Sequence, residues 1–185
     1  MSSRREEILQ SAIAVLGAQG VRQFTHRAVD AAAGLPAGST SNCYRTREAL
    51  VSGAVAYVAR REREGWEEVA NSVRPQSGHE LAVALATFVQ RATGPDRSLT
   101  LARFSLFVEA ALRPDLQRQL SATAQAVREW STQWLRLVGS RHPERDCRII
   151  LDCLDGILLH QLAFPDPALD PTEEITALVD ALLAG

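Results

Sequence analysis

Hydroxyl, amide and guanidinium side chains are concentrated between Thr25 and Arg47 of this 185-residue chain. Such groups donate hydrogen bonds to phosphate oxygens and to the edges of bases, which is the chemistry of DNA recognition. The segment predicts two short helices joined by a tight turn at Gly34, and the second helix is followed by the arginines Arg45 and Arg47. This pattern is typical of a helix-turn-helix, whose second helix enters the major groove of DNA.

The neighbouring sequence supplies the elements that would hold these side chains in place. Apolar residues between positions 8 and 16 follow helical spacing and predict a first helix that ends at Gly20. Thr25 is placed as the N-cap of the second helix, and the third helix is predicted over residues 37–44. We therefore predict a three-helix DNA-binding domain over residues 1–47.

The rest of the chain, residues 48–185, predicts a larger helical domain for regulation and dimerisation. Thr46 is placed to cap its first, long helix. Breaks rich in Gly and Pro then separate helices predicted over residues 79–93, 98–113, 115–138, 144–162 and 171–183. No strand pattern competes with these helices, so the predicted fold class is all-α.

Two helices near the C-terminus carry more apolar surface than a small domain buries by itself. Residues 149–162 are apolar nearly all round, and such a helix has to be covered on every side. The last helix carries one apolar stripe over residues 175–183, and Asp170, Pro171 and Glu173 predict a capping box at its start. A second copy of the chain would cover this surface most simply, so we predict a homodimer.

Charge is distributed unevenly along the chain, whose formal net charge is −2. Residues 1–50 hold six Arg and four acidic residues, whereas the remainder holds 14 Arg and 18 acidic residues. The asymmetry places a phosphate-facing surface in the N-terminal part and argues against a general nucleic-acid coat. All 20 basic residues are Arg, which suits phosphate recognition but which we attribute mainly to codon bias.

The composition excludes several other function classes. The cysteines Cys43, Cys147 and Cys153 show neither paired nor zinc-like spacing, which favours a reduced, cytoplasmic compartment and no metal site. The N-terminal residues lack the apolar run of a signal peptide, so we expect none, and no stretch approaches the ~18 apolar residues of a membrane-spanning helix. A nucleophile elbow, a His-Glu-x-x-His motif and a Gly-rich phosphate loop are all missing, so we predict neither an enzyme nor a cofactor.

The first 50 residues resemble the TetR family of bacterial transcriptional regulators. Besides the apolar first helix, the matching positions are Gly20, Thr25, Ala33-Gly34-Leu35, Gly38-Ser39, Tyr44 and Arg47, the last standing where the family usually has Lys. Residues 101–116 also look like a branch of that family's regulatory domain. The chain departs from the family at Ser41 and Asn42, where two aromatics are common, and at Cys43, where His is frequent.

The resemblance implies a homodimer whose recognition helices enter successive major grooves of a near-palindromic operator in double-stranded DNA. It also implies a C-terminal domain that binds a small molecule and thereby releases the DNA. The positions at which the family contacts phosphates are His26, Ser39, Asn42 and Arg47. The candidates for contacts to base edges are Arg27, Ala37, Gly38, Thr40 and Ser41. Arg45 is either a further DNA contact or a solvated charge at a helix end.

A pocket for a small apolar or aromatic ligand is predicted among the helices of residues 79–162. The candidate ligand-binding residues are Phe88, Arg103, Phe107, Trp130, Trp134 and His160. Under the alternative reading the aromatic residues belong to the core, and Arg103 or His160 pairs with Glu109 or Asp155. The tyrosine ring of Tyr44 is predicted to pack in the core of the small domain.

Two other regulatory schemes stay open at the level of sequence. In the first, Cys43 on the recognition helix is a thiol sensor whose oxidation expels the protein from DNA. In the second, the protein has lost ligand control and acts as a fixed DNA-binding dimer. Peroxide would abolish DNA binding only in the first scheme.

Overall fold

The computed structural model describes residues 4–72 and 74–185, and most of these residues are helical. The helices within these ranges are α1 Arg4–Gln23, α2 His26–Ala32, α3 Ser39–Cys43, α4 Arg47–Ser72, α5 Gly78–Thr93, α6 Arg97–Ala111, α7 Pro114–Leu137, α8 Pro143–Ala163 and α9 Thr172–Ala184. No strand occurs in the part of the chain that is described. The predicted all-α class is confirmed.

The helix ends agree with the predicted ones to within two residues from α5 onwards. The third helix is shorter than predicted, because Ala37 and Gly38 belong to the preceding turn and Gly38 has a φ of 93°. Gly20 was predicted to end α1; it interrupts the helix with a φ of 69° and a ψ of −177°, and a further turn reaches Gln23.

The predicted capping box at α9 is wrong in its details. The helix begins at Thr172, with Pro171 as the N-cap. The carboxylate of Asp170 accepts hydrogen bonds from the Thr172 N–H (3.0 Å) and hydroxyl (2.6 Å), which takes the place of the predicted pairing with Glu173. The helix thus starts one residue later than the sequence pattern indicates.

The chain forms two compact units, with boundaries inside α4, between α5 and α6, and inside α7. The first unit comprises the chain up to Glu62 together with Asp96–Thr123, and the second comprises Arg63–Pro95 together with Ala124–Gly185. Helix α6 therefore belongs to the same unit as the helix-turn-helix. The predicted division at residue 47 concerns function and stays a prediction.

The core of the first unit joins α1 and α4 to α6. Ile8, Leu16, Leu50 and Leu106 are almost completely buried in one apolar cluster. Burying one such side chain typically stabilises a fold by about 1.5–3 kcal/mol. Helices α1 and α6 touch at Gly17, where a Cβ atom would lie 2.5 Å from the Ser98 carbonyl oxygen.

The core of the second unit lies between α5, α8 and α9. Helix α8 buries one face, which includes Leu154 and Leu158, whereas Leu159 on its other side is 53% exposed. Phe164, just after the helix, is also exposed, at 68%. Apolar surface of α8 is thus left uncovered within the single chain. None of the described helices is long and apolar enough to cross a membrane.

Candidate DNA interface

Helices α2 and α3 are joined by a tight turn over residues 33–38. The hydroxyl oxygen of Thr25 accepts a hydrogen bond from the Ala28 N–H at 3.1 Å, which confirms Thr25 as the N-cap of α2. Gly34 (φ 64°) and Gly38 (φ 93°) have left-handed backbone conformations that residues with a Cβ rarely adopt. The two glycines therefore allow the sharp reversal that sets α3 across α2.

The carboxylate of Asp30, on α2, caps the N-terminus of α3. It accepts hydrogen bonds from the Gly38 N–H (2.8 Å), the Thr40 N–H (2.7 Å) and the Thr40 hydroxyl (2.5 Å). Asp30 is only 4% exposed, and Gly38, at the N-cap position, has no side chain of its own to cap the helix. Asp30 thus satisfies donors that α3 would otherwise leave unpaired. We call these three residues the Asp30 clamp.

The pKa of the Asp30 carboxyl is lowered from its ordinary value. Burial by itself would raise the pKa, but the hydrogen bonds from Thr40 and from the Gly38 N–H favour the carboxylate and outweigh it. The nearby His26 makes a further, smaller contribution in the same direction. Asp30 is therefore ionised near neutral pH, and the clamp consists of charge-assisted hydrogen bonds.

His26 and Tyr44 tie the two ends of the helix-turn-helix together. The Nε2 atom of His26 donates to the Tyr44 carbonyl oxygen at 2.6 Å, since that oxygen can only accept. The Tyr44 ring packs against the core of the first unit, as predicted, and burial raises the pKa of its hydroxyl. A Cβ atom at Gly53 of α4 would lie 2.6 Å from the ring carbon Cε1, so only glycine leaves room for the tyrosine there.

The other predicted DNA contacts differ in their exposure. Arg27, Ala37, Asn42 and Arg45 are exposed. Gly38, Ser39 and Ser41 are half-buried. The hydroxyl groups of Ser39 and Ser41 donate to the carbonyl oxygens of Pro36 (2.7 Å) and Gly38 (2.9 Å) within their own turn. Three of these exposed residues are together called the recognition surface: Arg27 at the start of α2, Asn42 near the end of α3, and Arg45 two residues after α3.

Thr40 does not fit the predicted contact with a base edge. Its side chain is completely buried, and its hydroxyl donates to Asp30. A side chain that lies beneath the helix cannot reach a base edge from this conformation. The structure assigns Thr40 to the support of α3 instead.

Arg47 opens α4 beside the end of α1. Its Nη2 atom donates to the Val21 carbonyl oxygen at 3.0 Å, and its Nη1 atom lies 3.9 Å from Oε1 of Glu109 on α6. The Arg47 side chain is 39% exposed. Its guanidinium is therefore accessible at the predicted phosphate position, although a carboxylate already faces it.

The predicted ligand-binding residues divide between the two compact units. Phe88, Trp130 and Trp134 lie in the second unit, where they form an aromatic cluster with Trp66. The Trp66 ring stacks on Phe88 with centroids 4.1 Å apart, and Trp130 lies 4.2 Å from Trp134 and 5.7 Å from Trp66. Trp66 and Trp134 are buried, whereas Phe88 and Trp130 are half-buried.

Arg103 and Phe107 lie in the first unit and are engaged with each other. The Arg103 Nε atom lies 2.7 Å from Oε1 of Glu62, and its guanidinium covers the rings of Phe104 and Phe107 at 4.8 and 4.7 Å. The suggested structural partner of Arg103, Glu109, is thus replaced by Glu62. This ion pair joins α4 to α6 and holds Arg103 where it is only 11% exposed.

His160 lies on the outer side of α8, not in a core. It is exposed, its ring lies 5.1 Å from that of Phe164, and it lines an open cleft of about 590 Å³. The cleft is formed by α8, the following loop and the start of α9, and none of the three tryptophans lines it. His160 and the aromatic cluster therefore belong to different places in the second unit.

The cysteines do not form a metal site in the described part of the chain. Cys43, on which the thiol-sensor scheme depends, is half-buried and packs against the core of the first unit. Cys147 is buried, and burial raises the pKa of its thiol.

Comparison with known families identifies the architecture. A family model described as the tetracyclin repressor-like C-terminal domain matches residues 76–185, which is more than half of the chain. The chain belongs to the TetR family. The helix-turn-helix that precedes the matched region is the DNA-binding part that TetR regulators carry at their N-terminus, and the protein has the fold of a transcriptional regulator.

Solved TetR structures extend over the whole chain. A TetR-family member from Streptomyces coelicolor A3 is 26% identical, with a TM-score of 0.73 and coverage of 98% of both chains. The multidrug binding protein EbrR in complex with ethidium is 25% identical, with a TM-score of 0.72 and coverage of 97% of this chain and 98% of that one. No curated protein sequence matches this TetR-family chain.

The sequence did not single out Asp30 or Trp66, and it offered Glu109 only as a possible partner of Arg103 or His160. Asp30 is the one acidic residue in an otherwise small and apolar stretch from Ala28 to Ala33, and that isolation is the available signal. Trp66 lies amid charged residues of α4, which hides its role in the aromatic cluster. The pairing of Glu109 with Arg47 spans 62 positions and leaves no local pattern.

Proposed function

We propose that this TetR-family protein is a homodimeric repressor that a small apolar or aromatic ligand releases from a near-palindromic operator. The observation that carries the proposal is the Asp30 clamp, which fixes α3 on α2 beneath the exposed Arg27, Asn42 and Arg45. Arginine side chains donate paired hydrogen bonds to the acceptors of a guanine edge, and asparagine amides donate to phosphate oxygens. A regulator of this kind acts in the cytoplasm, where the DNA is.

DNA contacts in this proposal come from residues 1–47, and ligand and dimer contacts from residues 48–185. Arg27 reads a base edge, with Ala37, Gly38 and Ser41 close to the groove floor. His26, Ser39, Asn42 and Arg47 contact phosphates, together with the N–H groups at the starts of α2 and α4. Arg45 is a further contact on the recognition surface.

The dimer is proposed to form through the outer face of α8 with α9. Leu159 and Phe164 leave apolar area in water, and the neighbouring Gly156 and Ala163 are small and exposed, which allows close approach of a second helix. Leu158 belongs to the apolar stretch 149–162 that was predicted to be covered by a second copy, but it is completely buried in its own chain. A glutamate at position 158 would therefore unfold the unit without testing the interface.

The interface test uses Leu159→Glu, with Leu137→Glu as the matched control. Both leucines are well exposed in the single chain, at 53% and 64%. A buried, unpaired carboxylate is strongly destabilising, so Leu159→Glu should give monomers without operator affinity while Leu137→Glu stays dimeric. Light scattering that reports a dimer for both variants would place the interface elsewhere.

The ligand is proposed to bind at the aromatic cluster. Phe88 and Trp130 are half-buried, so their ring faces offer apolar area that a planar ligand can cover, backed by the buried Trp134. EbrR, which has a similar structure, binds the planar aromatic ethidium. Arg103 is engaged in its ion pair with Glu62, and His160 would serve only a ligand in the cleft beside α8.

Induction is proposed to work by a shift between two conformations. The bound ligand has to favour one in which the recognition helices no longer match successive major grooves, about 34 Å apart. Coupling of this kind typically amounts to about 1–3 kcal/mol, or roughly 5–150-fold in operator affinity.

The deciding experiment starts with a protection footprint on the DNA that flanks the protein's own gene. The complex of the protein with the protected fragment is then titrated with the aromatic probe anilinonaphthalene sulfonate, following tryptophan quenching and DNA release together. Ethidium is avoided because it binds DNA itself. Quenching accompanied by release supports the proposal, and quenching without release refutes ligand control. Protection by the wild-type protein that is confined to no defined DNA segment would refute specific operator binding.

A further inference from the structure

We propose that Glu109 competes with a DNA phosphate for Arg47 and so acts as a brake on operator binding. The inference rests on the proposed function, in which Arg47 contacts a phosphate. It goes further because it makes that contact depend on a carboxylate of α6, outside the predicted DNA-binding residues 1–47.

The geometry around Arg47 leaves one end of its guanidinium facing Glu109. The Nη2 atom is committed to the Val21 carbonyl oxygen at 3.0 Å, which fixes the group beside the end of α1. The Nη1 atom lies 3.9 Å from Oε1 of Glu109. The two side chains are 39% and 22% exposed, so solvent, and hence a phosphate, reaches the pair.

Glu109 is also held by a second arginine. The Nη1 atom of Arg113 lies 3.3 Å from the same Oε1 atom and is closer to it than Arg47 is. The carboxylate is therefore anchored by Arg113 and does not follow Arg47 toward DNA. A phosphate that binds Arg47 is therefore repelled by the negative charge of Glu109, which lies 3.9 Å from the arginine.

The strength of the brake follows from the exposure of the pair. Charges that are partly solvated interact modestly and are screened over about 10 Å at 0.1 M salt. A charge at the rim of an interface changes both association and its salt dependence. We therefore expect the removal of this carboxylate to tighten operator binding by about three- to tenfold at 0.1 M salt.

The test compares Glu109→Gln with Glu67→Gln in the operator-binding assay. Glu67 is a matched control because it lies 3.9 Å from Arg63 in an exposed ion pair and its replacement changes the net charge equally. We expect about three- to tenfold tighter binding for Glu109→Gln and less than about twofold for Glu67→Gln. The advantage of Glu109→Gln should shrink as salt is raised to 0.5 M, since salt screens the competing charge.

Two further variants identify the mechanism. In an Arg47→Ala background, Glu109→Gln should not increase operator affinity, because the guanidinium for which Glu109 and the phosphate compete is absent. Glu109→Asp keeps the charge and should bind like the wild type, which separates charge from packing. Circular dichroism checks that all variants are folded.

Three results would overturn the competition. The first is that Glu109→Gln binds the operator no more tightly than the wild type. The second is that its gain in affinity is no larger than that of Glu67→Gln. The third is that the gain in affinity persists in the Arg47→Ala background. A wild-type protein that binds no operator contradicts the proposed function itself. Normal wild-type binding with an unchanged Glu109→Gln contradicts only the brake.

Discussion

Replacement of Asp30 with asparagine tests the Asp30 clamp with the smallest change of shape. The wild-type carboxylate accepts three hydrogen bonds between 2.5 and 2.8 Å. An asparagine keeps one acceptor oxygen and turns an NH₂ donor toward donors of Gly38 or Thr40. The loss of charge-assisted bonding with a buried donor left unpaired costs about 2–4 kcal/mol.

The expected cost converts into a large thermal shift. In a chain of this size about 1 kcal/mol corresponds to roughly 2–4 °C, so Asp30→Asn should melt about 5–15 °C below the wild type at pH 7. Asp170→Asn is the matched control, because Asp170 also accepts from the N–H and hydroxyl of one threonine, Thr172, but is exposed. Its melting temperature should change much less.

The pH dependence gives an independent check with a defined sign. The folded-state pKa of Asp30 lies below that of the unfolded chain, about 3.9, so its stabilisation is fully present above about pH 5. It is lost as the pH falls through the folded-state pKa, where the carboxylate of the wild type becomes protonated. The difference in melting temperature between wild type and Asp30→Asn should therefore be constant from about pH 5 to 8 and shrink below about pH 4.

Operator affinity should fall more than tenfold in Asp30→Asn, although Asp30 is buried and touches no DNA in the proposal. A melting shift no larger than that of Asp170→Asn would refute the clamp. So would a difference from the wild type that persists unchanged down to about pH 3.

Two more pairs of substitutions separate packing from recognition. Gly53→Ala should destabilise the protein by about 1–3 kcal/mol in thermal unfolding, because the new methyl group would overlap Tyr44. Gly65→Ala is the control and should be neutral or stabilising, because a Cβ atom there would meet no atom within 4 Å. Equal effects of the two substitutions would contradict the packing of the tyrosine ring. Arg27→Ala should lose about 1–3 kcal/mol of discrimination between the operator and single-base variants. Arg47→Ala should weaken binding to all sequences and reduce the log–log salt slope by about one, and an unchanged slope would rule out its phosphate contact.

The elements of the DNA-binding part were predictable from local chemistry. Thr25 caps α2 and Gly34 forms the tight turn, because capping and positive φ depend on residues next to one another in sequence. Gly38 was instead predicted inside the third helix, which it precedes as the N-cap. Local sequence also predicts the apolar faces of the later helices, whose bounds the periodicity gave to within two residues.

The partners of polar side chains were not predictable in this way. Thr40 carries a hydroxyl suited to DNA, yet the turn directs it toward Asp30, and only the crossing of α2 and α3 decides between the two. Arg103 pairs with Glu62 across two helices, although Glu109 is nearer in sequence. Such choices depend on which faces of distant helices meet, and helical periodicity contains no information on that.

The burial of α6 residues in the core around α1 limits how domains of different TetR regulators can be joined into chimeras. Ala102 and Leu106 are fully buried in the same cluster as Ile8 and Leu16, and Gly17 leaves room for the backbone of Ser98. A fragment cut at residue 47 would expose this seam, and a chimera joined there would set α1 against a foreign α6. The DNA-binding unit that could be transferred between proteins thus consists of two separate stretches of chain. An exchange of regulatory domains between relatives therefore has to include α6, or preserve the small residues and apolar side chains where α1 meets it.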